Sequence, residues 1–486
     1  MPQPGRRPNV VFVMSDQHRW DFMGYEKSNG VTFTPNLDKM GAAGRVFRRA
    51  YCPAPLCSPS RAALALGRYG MNSGCFTNLH EPPPGSPTFM NQFRQAGYRI
   101  AAIGKTHMKI HAYDSELMGA EHRAYMNSLG WDDNSGEVCG GMMIRFGIQC
   151  AWSDFLKSKG RFDDVARFYG VWGYFMDPTR KCQPGWMPAE FPFEPELKEP
   201  SFIGSSAVNW LAGRDRSQPF LLHVGFCGPH SPIEPLKRFM DLYRDRPEPM
   251  PIGVREVPDY FLDGRRGYRA MISEIDDWVG KMRRTLADQG DLDNTIFVFT
   301  SDHGEMAGDL GRIDKTCFYE GSARVPLILA GPGVVPQTPS DAMVETLDLG
   351  RTVCDLCGVE PHSLDQGISL LPMLTGQSET HRQTVYIEMG CDKMLLDGRY
   401  KLMWGDPGSD TRKLGRLHLD KPVIIPHSPT RLYDLQEDPQ ELHDLAAEPS
   451  RRDLLLTMME KLLDRINANT QTQPFKSRGK FTQYKD

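Results

Sequence analysis

Five short apolar runs predict the buried strands of this chain. They cover residues 9–14, 98–103, 220–226, 295–300 and 325–330. Their side chains are almost continuously apolar, which is the pattern of strands covered on both faces of a sheet. Helical stretches separate most of these runs. This alternation of strand and helix favours an α/β fold with a large central, mostly parallel sheet.

Polar and ionisable side chains directly follow four of the five runs. They are Asp16 and Gln17, Lys105 and His107, His230, and Asp302 and His303. Ligands of parallel sheets bind beyond the carboxyl ends of the strands. We therefore expect these side chains to belong to one functional site.

The pattern changes past Gly376. Residues 384–389 and 393–404 are typical of an antiparallel hairpin or meander, because a turn signal at Asp397-Gly398 interrupts the second run. An amphipathic helix is predicted over 454–466, and the last 20 residues form a polar, basic tail without periodicity. The chain beyond Gly376 therefore differs in architecture from the part before it.

We predict a large domain over residues 1–375, which holds all four of these strand ends, and a small C-terminal α/β domain over 376–486. Within the first, residues 113–200 form an aromatic-rich insertion that holds half of the eight tryptophans, Trp131, Trp152, Trp172 and Trp186. Two interpretations stay open for it. One is a hydrophobic subcore or a subunit contact, and the other is a lid or wall of the substrate pocket.

Composition narrows the class of protein. The 57 Lys and Arg residues nearly balance 61 Asp and Glu residues, for a net charge of −4, which argues against a nucleic-acid partner. No run approaches the roughly 18 apolar residues of a membrane span, and the apolar run near the start is short for a signal peptide. Eleven cysteines without framework spacing favour reduced thiols. We expect a cytoplasmic protein without a membrane partner.

The most informative motif is Cys57-Ser-Pro-Ser-Arg61. Ser58-Pro59 predicts the start of a helix, where backbone N–H groups and the helix dipole favour an anion at Cys57. A cysteine in this position would otherwise be an ordinary buried residue. The pentapeptide resembles the signature of the sulfatase family, in which this cysteine is oxidised to formylglycine.

Other segments are similar to those of the same family. In chain order they are residues 9–17, Thr34-Pro-Asn-Leu-Asp38, Gly104-Lys-Thr-His107, Gly228-Pro-His230, Thr300-Ser-Asp-His-Gly-Glu305, Lys315 with Phe318-Tyr-Glu320, Arg324-Val-Pro-Leu-Ile328, and Leu432-Tyr-Asp-Leu435 with Asp438-Pro439. They extend from residue 9 to about residue 445 in family order. The resemblance thus covers roughly nine-tenths of the chain.

The resemblance implies an alkaline-phosphatase-like α/β sandwich and hydrolysis of a sulfate monoester of an aryl or small alkyl alcohol. It implies that a formylglycine-generating enzyme modifies Cys57 and that one divalent metal ion lies beside it. The implied metal ligands are Asp16, Gln17, Cys57, Asp302 and His303. Oxygen ligands suit a hard cation, and the His303 nitrogen makes Mn²⁺ a rival to Ca²⁺, with Mg²⁺ less expected.

The resemblance also implies roles for the remaining side chains. Lys105 and Lys315 bind the ester oxygens, His230 protonates the departing alcohol, and His107 takes a proton from the modified residue 57. Arg61, with Lys105, holds the charge and orientation of the nucleophile, Asp302 acts as its base, and Asn78 contacts the substrate. These roles follow the usual division of covalent ester hydrolysis into two steps.

Some alternatives remain at this point. Gln17 and His303 are also typical of the choline-sulfatase and phosphonate monoester hydrolase branches, so a phosphonate monoester or phosphodiester hydrolase is the second candidate. Lys105 and His107 favour the sulfatase. A non-catalytic anion-binding relative is the third.

Residues outside these motifs carry weaker predictions. We predict surface positions for His80, His111 and His122, simple packing for Cys354 and Cys357, and a homo-oligomer.

Overall fold

The computed structural model describes residues 6–110, 115–140, 143–144, 147–170, 185–405 and 430–470. Its strands are β1 (Asn9–Asp16), β2 (Gly44–Tyr51), β3 (Arg99–Gly104), β4 (Asp133–Glu137), β5 (Phe220–Pro229), β6 (Thr295–Ser301), β7 (Arg324–Val325), β8 (Leu327–Ala330), β9 (Ser340–Glu345), β10 (Val385–Met389), β11 (Asp392–Leu396), β12 (Tyr400–Trp404) and β13 (Thr430–Asp434). Nine of them form one sheet and four form another.

The α-helices lie between these strands along most of the chain. They are α1 (Pro35–Ala42), α2 (Cys57–Leu66), α3 (Gly70–Ser73), α4 (Phe89–Gln95), α5 (Ala120–Ser128), α6 (Ala151–Ser158), α7 (Phe162–Tyr169), α8 (Glu199–Gly213), α9 (Lys237–Met240), α10 (Asp259–Asp288), α11 (Glu320–Ala323), α12 (Asp348–Cys357), α13 (Leu371–Leu374) and α14 (Arg452–Asn469). No helix in the described part of the chain has the length and apolar character needed to cross a bilayer.

The large sheet has the order β4-β3-β5-β1-β6-β8-β2-β7, and β9 pairs with β2. Its first five strands are parallel to one another. β8 runs antiparallel to both β6 and β2. The predicted mostly parallel sheet is confirmed, and its parallel half contains all four strands that end in the candidate site residues.

The predicted strand over 325–330 is divided in the structure. Pro326 separates β7 from β8, as expected for a residue that has no backbone N–H to donate to a neighbouring strand. The two pieces pair with different parts of β2. This run therefore forms the antiparallel side of the sheet, which its apolar sequence did not indicate.

Helices cover both faces of the large sheet, as the apolar runs indicate. On one face, Val11 and Val13 of β1 belong to the same buried cluster as Ile275 and Val279 of α10. On the other face, Phe12 belongs to the cluster of α4 and α12. Each face of a central strand is thus removed from water, which is the main contribution to the stability of such a sheet.

The small sheet has the order β10-β11-β12-β13 and is antiparallel throughout. Met458 and Leu462 of α14 pack on one of its faces, against Leu395 and Leu402. The predicted meander and C-terminal helix are therefore confirmed. The boundary after residue 375 stays a prediction, and the tail from residue 471 onward lies outside the described residues.

Three of the four tryptophans of the predicted insertion are described, and all three are buried. Trp152 packs edge-on against Tyr169, and Trp186 packs against Tyr268 of α10. Trp172 lies outside the described residues. The three described tryptophans favour the interpretation of the insertion as a hydrophobic subcore.

A buried ion pair joins the large sheet's helices to the segment that leads into the small sheet. Asp348, the first residue of α12, accepts hydrogen bonds from Arg382 Nε at 2.8 Å and from His381 Nε2 at 2.9 Å. Burial raises the pKa of Asp348, but the Arg382 guanidinium and the hydrogen bonds outweigh it and hold the pKa well below its usual range. The carboxylate is therefore ionised inside the protein.

We expect Arg382→Leu to lower the free energy of unfolding by about 3–5 kcal/mol, because it leaves a buried carboxylate without its guanidinium. Urea unfolding at pH 7 measures this. The control is Arg351→Leu, since Arg351 makes a longer, partly exposed pair with Asp355, whose loss should cost less than about 1 kcal/mol.

The loss of stability in Arg382→Leu should depend on pH. A depressed folded-state pKa contributes stability that is complete above the unfolded value, about 4, and is lost as the pH falls toward the folded value. The difference between wild type and Arg382→Leu should therefore narrow below about pH 4. The ion pair would be contradicted if wild type and Arg382→Leu differed in unfolding free energy by the same amount at pH 7 and at the lowest pH that keeps both proteins folded.

Candidate active site

The strand ends of the parallel half converge on one site. β1 and β6 are neighbours with Ser15 opposite Ser301, so Asp16 and Asp302 lie side by side. β3 and β5 continue the sheet beyond β1, and Lys105 and His230 directly follow them. The sequence-based expectation of a site at these ends is supported by the topology.

Helix α2 brings Cys57 to these strand ends. Cys57 is the first residue of the helix, and all ten residues of α2 are buried. Its Sγ lies 3.2 Å from His303 Nε2 and 3.8 Å from Asp16 Oδ1. Asn78 Oδ1 accepts a hydrogen bond from the Ser58 N–H at 3.0 Å. Asn78 therefore lies next to the helix N-terminus, and its contact with the substrate stays a prediction.

A buried group of four side chains could hold a metal ion. One ligand atom each from Asp16, Cys57, Asp302 and His303 lies within 4.8 Å of the others. Two carboxylates, one imidazole and an oxygen placed at residue 57 form a donor set that suits a divalent cation. These residues fit the metal that the sequence predicts.

Gln17, the fifth predicted ligand, adjoins this group. Its backbone N–H donates to Asp302 Oδ1 at 3.0 Å, and its backbone has the left-handed φ of 63°. Its side-chain amide donates to Glu305 and accepts from Lys315 Nζ. The amide oxygen thus faces the cationic side of the site, while Glu305 holds the amide nitrogen away from it.

Arg61 joins the two carboxylates. Its guanidinium donates to Asp302 Oδ2 at 2.8 Å and to Asp16 Oδ2 at 3.4 Å. Burial raises the pKa of both carboxyls, but the surrounding cations outweigh it. Lys105 and Arg61 hold the pKa of Asp16 well below its usual range, and Arg61 is the main cause for Asp302. Both carboxylates are thus ionised and ready to bind a cation.

Cations also surround residue 57. Burial raises the pKa of the Cys57 thiol, yet Lys105, Lys315 and His303 lower it to about 7. Burial lowers the pKa of His303, but Asp302 and Cys57 raise it to about 9. The protein therefore stabilises a negative charge at the nucleophile position, as an anionic ester intermediate would require.

His230 and Lys315 form one pair. His230 Nδ1 donates to the Ser231 carbonyl at 2.7 Å, so Nε2 is free of a proton and accepts from Lys315 Nζ at 2.6 Å. Burial and the Lys315 charge lower the pKa of His230. The proton of this hydrogen bond therefore belongs to the Lys315 ammonium group, and His230 is a neutral imidazole that accepts it at the predicted leaving-group side.

His107 lies on the side of Lys105. Burial, Lys105 and Arg61 lower its pKa well below the usual value, so it is a neutral imidazole. Its carbonyl accepts a hydrogen bond from Ser58 Oγ at 3.2 Å, and Lys105 Nζ donates to Asp16. The structure therefore brings together all the site residues that the sequence predicts.

Two acidic residues with contacts to the site were missed as functional candidates. Glu305 accepts from the Ala307 N–H at 2.9 Å as well as from Gln17. It lies three residues after Asp302, which is the signal that could have revealed it. Glu137 contacts Thr106, and no apolar pattern marks its strand.

One prediction about the histidines is wrong. His122, expected at the surface, is buried and donates to Glu137 Oε2 at 2.7 Å, because a carboxylate partner removes the cost of burying its polar ring. His80 is exposed as predicted. His111 lies outside the described residues.

Comparisons with known proteins show the family of the chain. The sulfatase family profile matches residues 8–359. The chain is 27% identical to an arylsulfatase of Clostridium perfringens, over 90% of each chain. It is also 27% identical to a choline-sulfatase of Rhizobium meliloti, over 91% of this chain and 83% of the relative.

The fold has solved counterparts. The phosphonate monoester hydrolase of Agrobacterium radiobacter superposes with a TM-score of 0.74 at 22% identity, over 96% of both chains. That of Silicibacter pomeroyi gives 0.73 at the same identity and coverage. The predicted α/β fold, with a large sheet and a smaller C-terminal one, is confirmed. The predicted enzyme class, a sulfuric ester hydrolase, is confirmed as well, and the chain belongs to the sulfatase family.

Proposed function

We propose that this enzyme hydrolyses sulfate monoesters of aryl or small alkyl alcohols and releases inorganic sulfate. The observation that supports this most directly is the setting of Cys57. It begins a buried helix beside His303, and Lys105, Lys315 and Arg61 surround it with three cationic groups. A dense positive charge around a nucleophile suits an ester whose free oxygens are anionic.

The proposal includes two groups that the chain must acquire. A divalent cation, Ca²⁺ or Mn²⁺, would be held by Asp16, Gln17, Asp302, His303 and an oxygen at residue 57, and would supply charge neutralisation of the ester oxygens. Formylglycine at residue 57, made by a formylglycine-generating enzyme, would supply a hydroxyl nucleophile in its hydrated form.

The chain's own residues do the remaining work. Lys105 and Lys315 bind the nonbridging oxygens of the ester. Arg61 keeps Asp16 and Asp302 ionised and in place through its hydrogen bonds. His230 Nε2 carries no proton of its own, so it first takes one from Lys315 Nζ, 2.6 Å away, and passes it to the departing alcohol oxygen. This arrangement is typical of general acid catalysis with a neighbouring proton donor.

His107 acts on the other side of residue 57. Its pKa is held well below the usual value, mainly by burial and Lys105, so it is neutral and able to accept a proton. A proton removed from the modified residue 57 would therefore go to His107. The pair formed by Lys105 and His107 is our reason for preferring a sulfate monoester, which carries several free oxygens.

A phosphonate monoester or phosphodiester is the second candidate substrate. His303 among the four candidate metal ligands and Gln17 beside them favour it, as does the likeness in fold to two phosphonate monoester hydrolases. Both reactions pass through anionic transition states of similar shape. We therefore expect activity on both substrate classes, with the sulfate preferred.

The test is parallel kinetics on an aryl sulfate and an aryl phosphonate monoester with the same leaving group. We expect the higher kcat/KM on the sulfate, because Lys105 and His107 serve an ester with several free oxygens. The metal-free protein, prepared by chelation and dialysis, is the control and should be inactive on both. A higher kcat/KM on the phosphonate would overturn the preference, and activity on neither ester would overturn the proposed function.

A further inference from the structure

The segment that carries Lys105 and His107 is held from several sides. The Lys105 N–H donates to the Gly225 carbonyl at 2.7 Å, and the Lys105 carbonyl accepts from Arg61 at 2.7 Å. His107 nevertheless has a left-handed backbone with φ of 51°. For a residue other than glycine this conformation costs about 1–3 kcal/mol and persists only where the surroundings hold it.

Glu137 contacts this segment immediately before His107. It is the last residue of β4, stands opposite Gly104 in the sheet and is 0% exposed. One of its carboxylate oxygens accepts from the Thr106 hydroxyl. The other accepts from His122 Nε2 at 2.7 Å. The side chain of Thr106 is thereby connected to α5.

Tyr125 contacts the segment immediately after His107. Its one hydroxyl proton is shared between the Met108 carbonyl at 3.0 Å and the Pro82 carbonyl at 2.9 Å. Tyr125 and His122 are three residues apart on α5, so they lie on the same face of that helix. The strained residue is therefore flanked by two contacts, and both lead to α5.

We propose that Glu137, together with His122 and Tyr125 of α5, is a positioning group that holds Lys105 and His107 in their catalytic orientation. None of the three touches the substrate position in the proposed mechanism; they act through Thr106 and Met108. A displacement of about 1 Å in a catalytic group can reduce a rate about 100-fold. This inference rests on the proposed function, which assigns the chemistry to Lys105 and His107.

A purely structural role would give different results. If the network only stabilises the fold, loss of the Thr106 hydroxyl would lower stability and leave kcat unchanged. A matched buried hydroxyl elsewhere is that of Thr352, which donates to the Asp348 carbonyl at 2.7 Å. Thr352→Val therefore measures what such a loss costs away from the site.

The experiment compares Thr106→Val, Thr106→Ser, Tyr125→Phe and Thr352→Val in the metal-loaded, modified enzyme. We expect Thr106→Val to lower kcat by about 10- to 100-fold with a smaller change in KM, and Tyr125→Phe to change them in the same direction. Thr106→Ser keeps the hydroxyl and should restore most of kcat. Thr352→Val should lose stability and retain kcat.

Hydrogen exchange gives a second measurement that needs no substrate. Amides of residues 105–110 should exchange faster in Thr106→Val than in wild type or Thr352→Val. The reason is that the segment has lost its hydrogen bond to Glu137, one of the two contacts that connect it to α5. Unchanged exchange there would overturn the positioning role, even in an enzyme inactive on both esters. Faster exchange with wild-type kcat in an active enzyme would also overturn it. Inactivity of the wild type on both esters would instead contradict the proposed function.

Discussion

Cys57→Ala is expected to lower kcat on an aryl sulfate by about 10⁴-fold or more, because it removes the side chain that the proposed mechanism converts into the nucleophile. The fold should survive, since alanine is the residue most compatible with a helix and Cys57 makes no hydrogen bond that supports the backbone. The measurement is steady-state kinetics together with thermal unfolding.

The matched control is Cys75→Ala. Cys75 is also buried, and it packs against Ala62 and Leu66 of the same helix. Its substitution should leave kcat close to that of wild type. Mass spectrometry of the peptide around residue 57 completes the test. Turnover by Cys57→Ala comparable to wild type, or an unmodified thiol at Cys57 in active wild type, would refute the nucleophile assignment.

The second large effect is expected for Asp302→Asn. The Asp302 carboxylate is one of the four side-chain groups that could hold a metal ion. It accepts hydrogen bonds from the backbone N–H groups of Gln17 and His303 and pairs with Arg61. Loss of its charge should reduce the metal bound per protein after dialysis. It should also lower kcat by about 100- to 1,000-fold, which corresponds to several kcal/mol of lost charge stabilisation.

The control for this substitution is Asp276→Asn. Asp276 is a buried carboxyl of α10 whose pKa is raised to about 6, mainly by burial, and its Oδ1 accepts from the Leu37 N–H at 2.7 Å. An amide oxygen can take over that contact. Metal content and kcat should therefore stay near wild type. An unchanged metal content in Asp302→Asn would exclude it as a ligand.

Much of the parallel half of the sheet could be predicted from the sequence, for a physical reason. Strands buried on both faces must be apolar throughout, so β1, β3, β5 and β6 are visible as runs. The polar residues that end those runs are, for the same reason, the ones gathered at the sheet's edge. Asp16 and Asp302 could therefore be placed together before any coordinates were known.

The rest of the sheet lacks this signal. β4 has the sequence Asp-Asn-Ser-Gly-Glu without one apolar residue, and β2 carries three arginines among its eight residues. Their pairing is determined by neighbouring strands, since strand propensity depends strongly on context. His122 and Glu137 were missed for the same reason. His122 can be buried only because Glu137 is its partner, and the reverse also holds. Two residues fifteen positions apart leave no local sequence pattern that would reveal such a pair.

The complete burial of α2 sets an order of events in the biogenesis of the enzyme. Cys57 is 3% exposed, and its Sγ lies 3.2 Å from His303 Nε2. If a separate enzyme oxidises Cys57, that enzyme must bind residues 57–61 as an extended chain, before α2 packs against the sheet. A molecule that folds first would keep its thiol and remain permanently inactive. The active fraction of each preparation would then depend on how fast Cys57 is modified relative to how fast the chain folds.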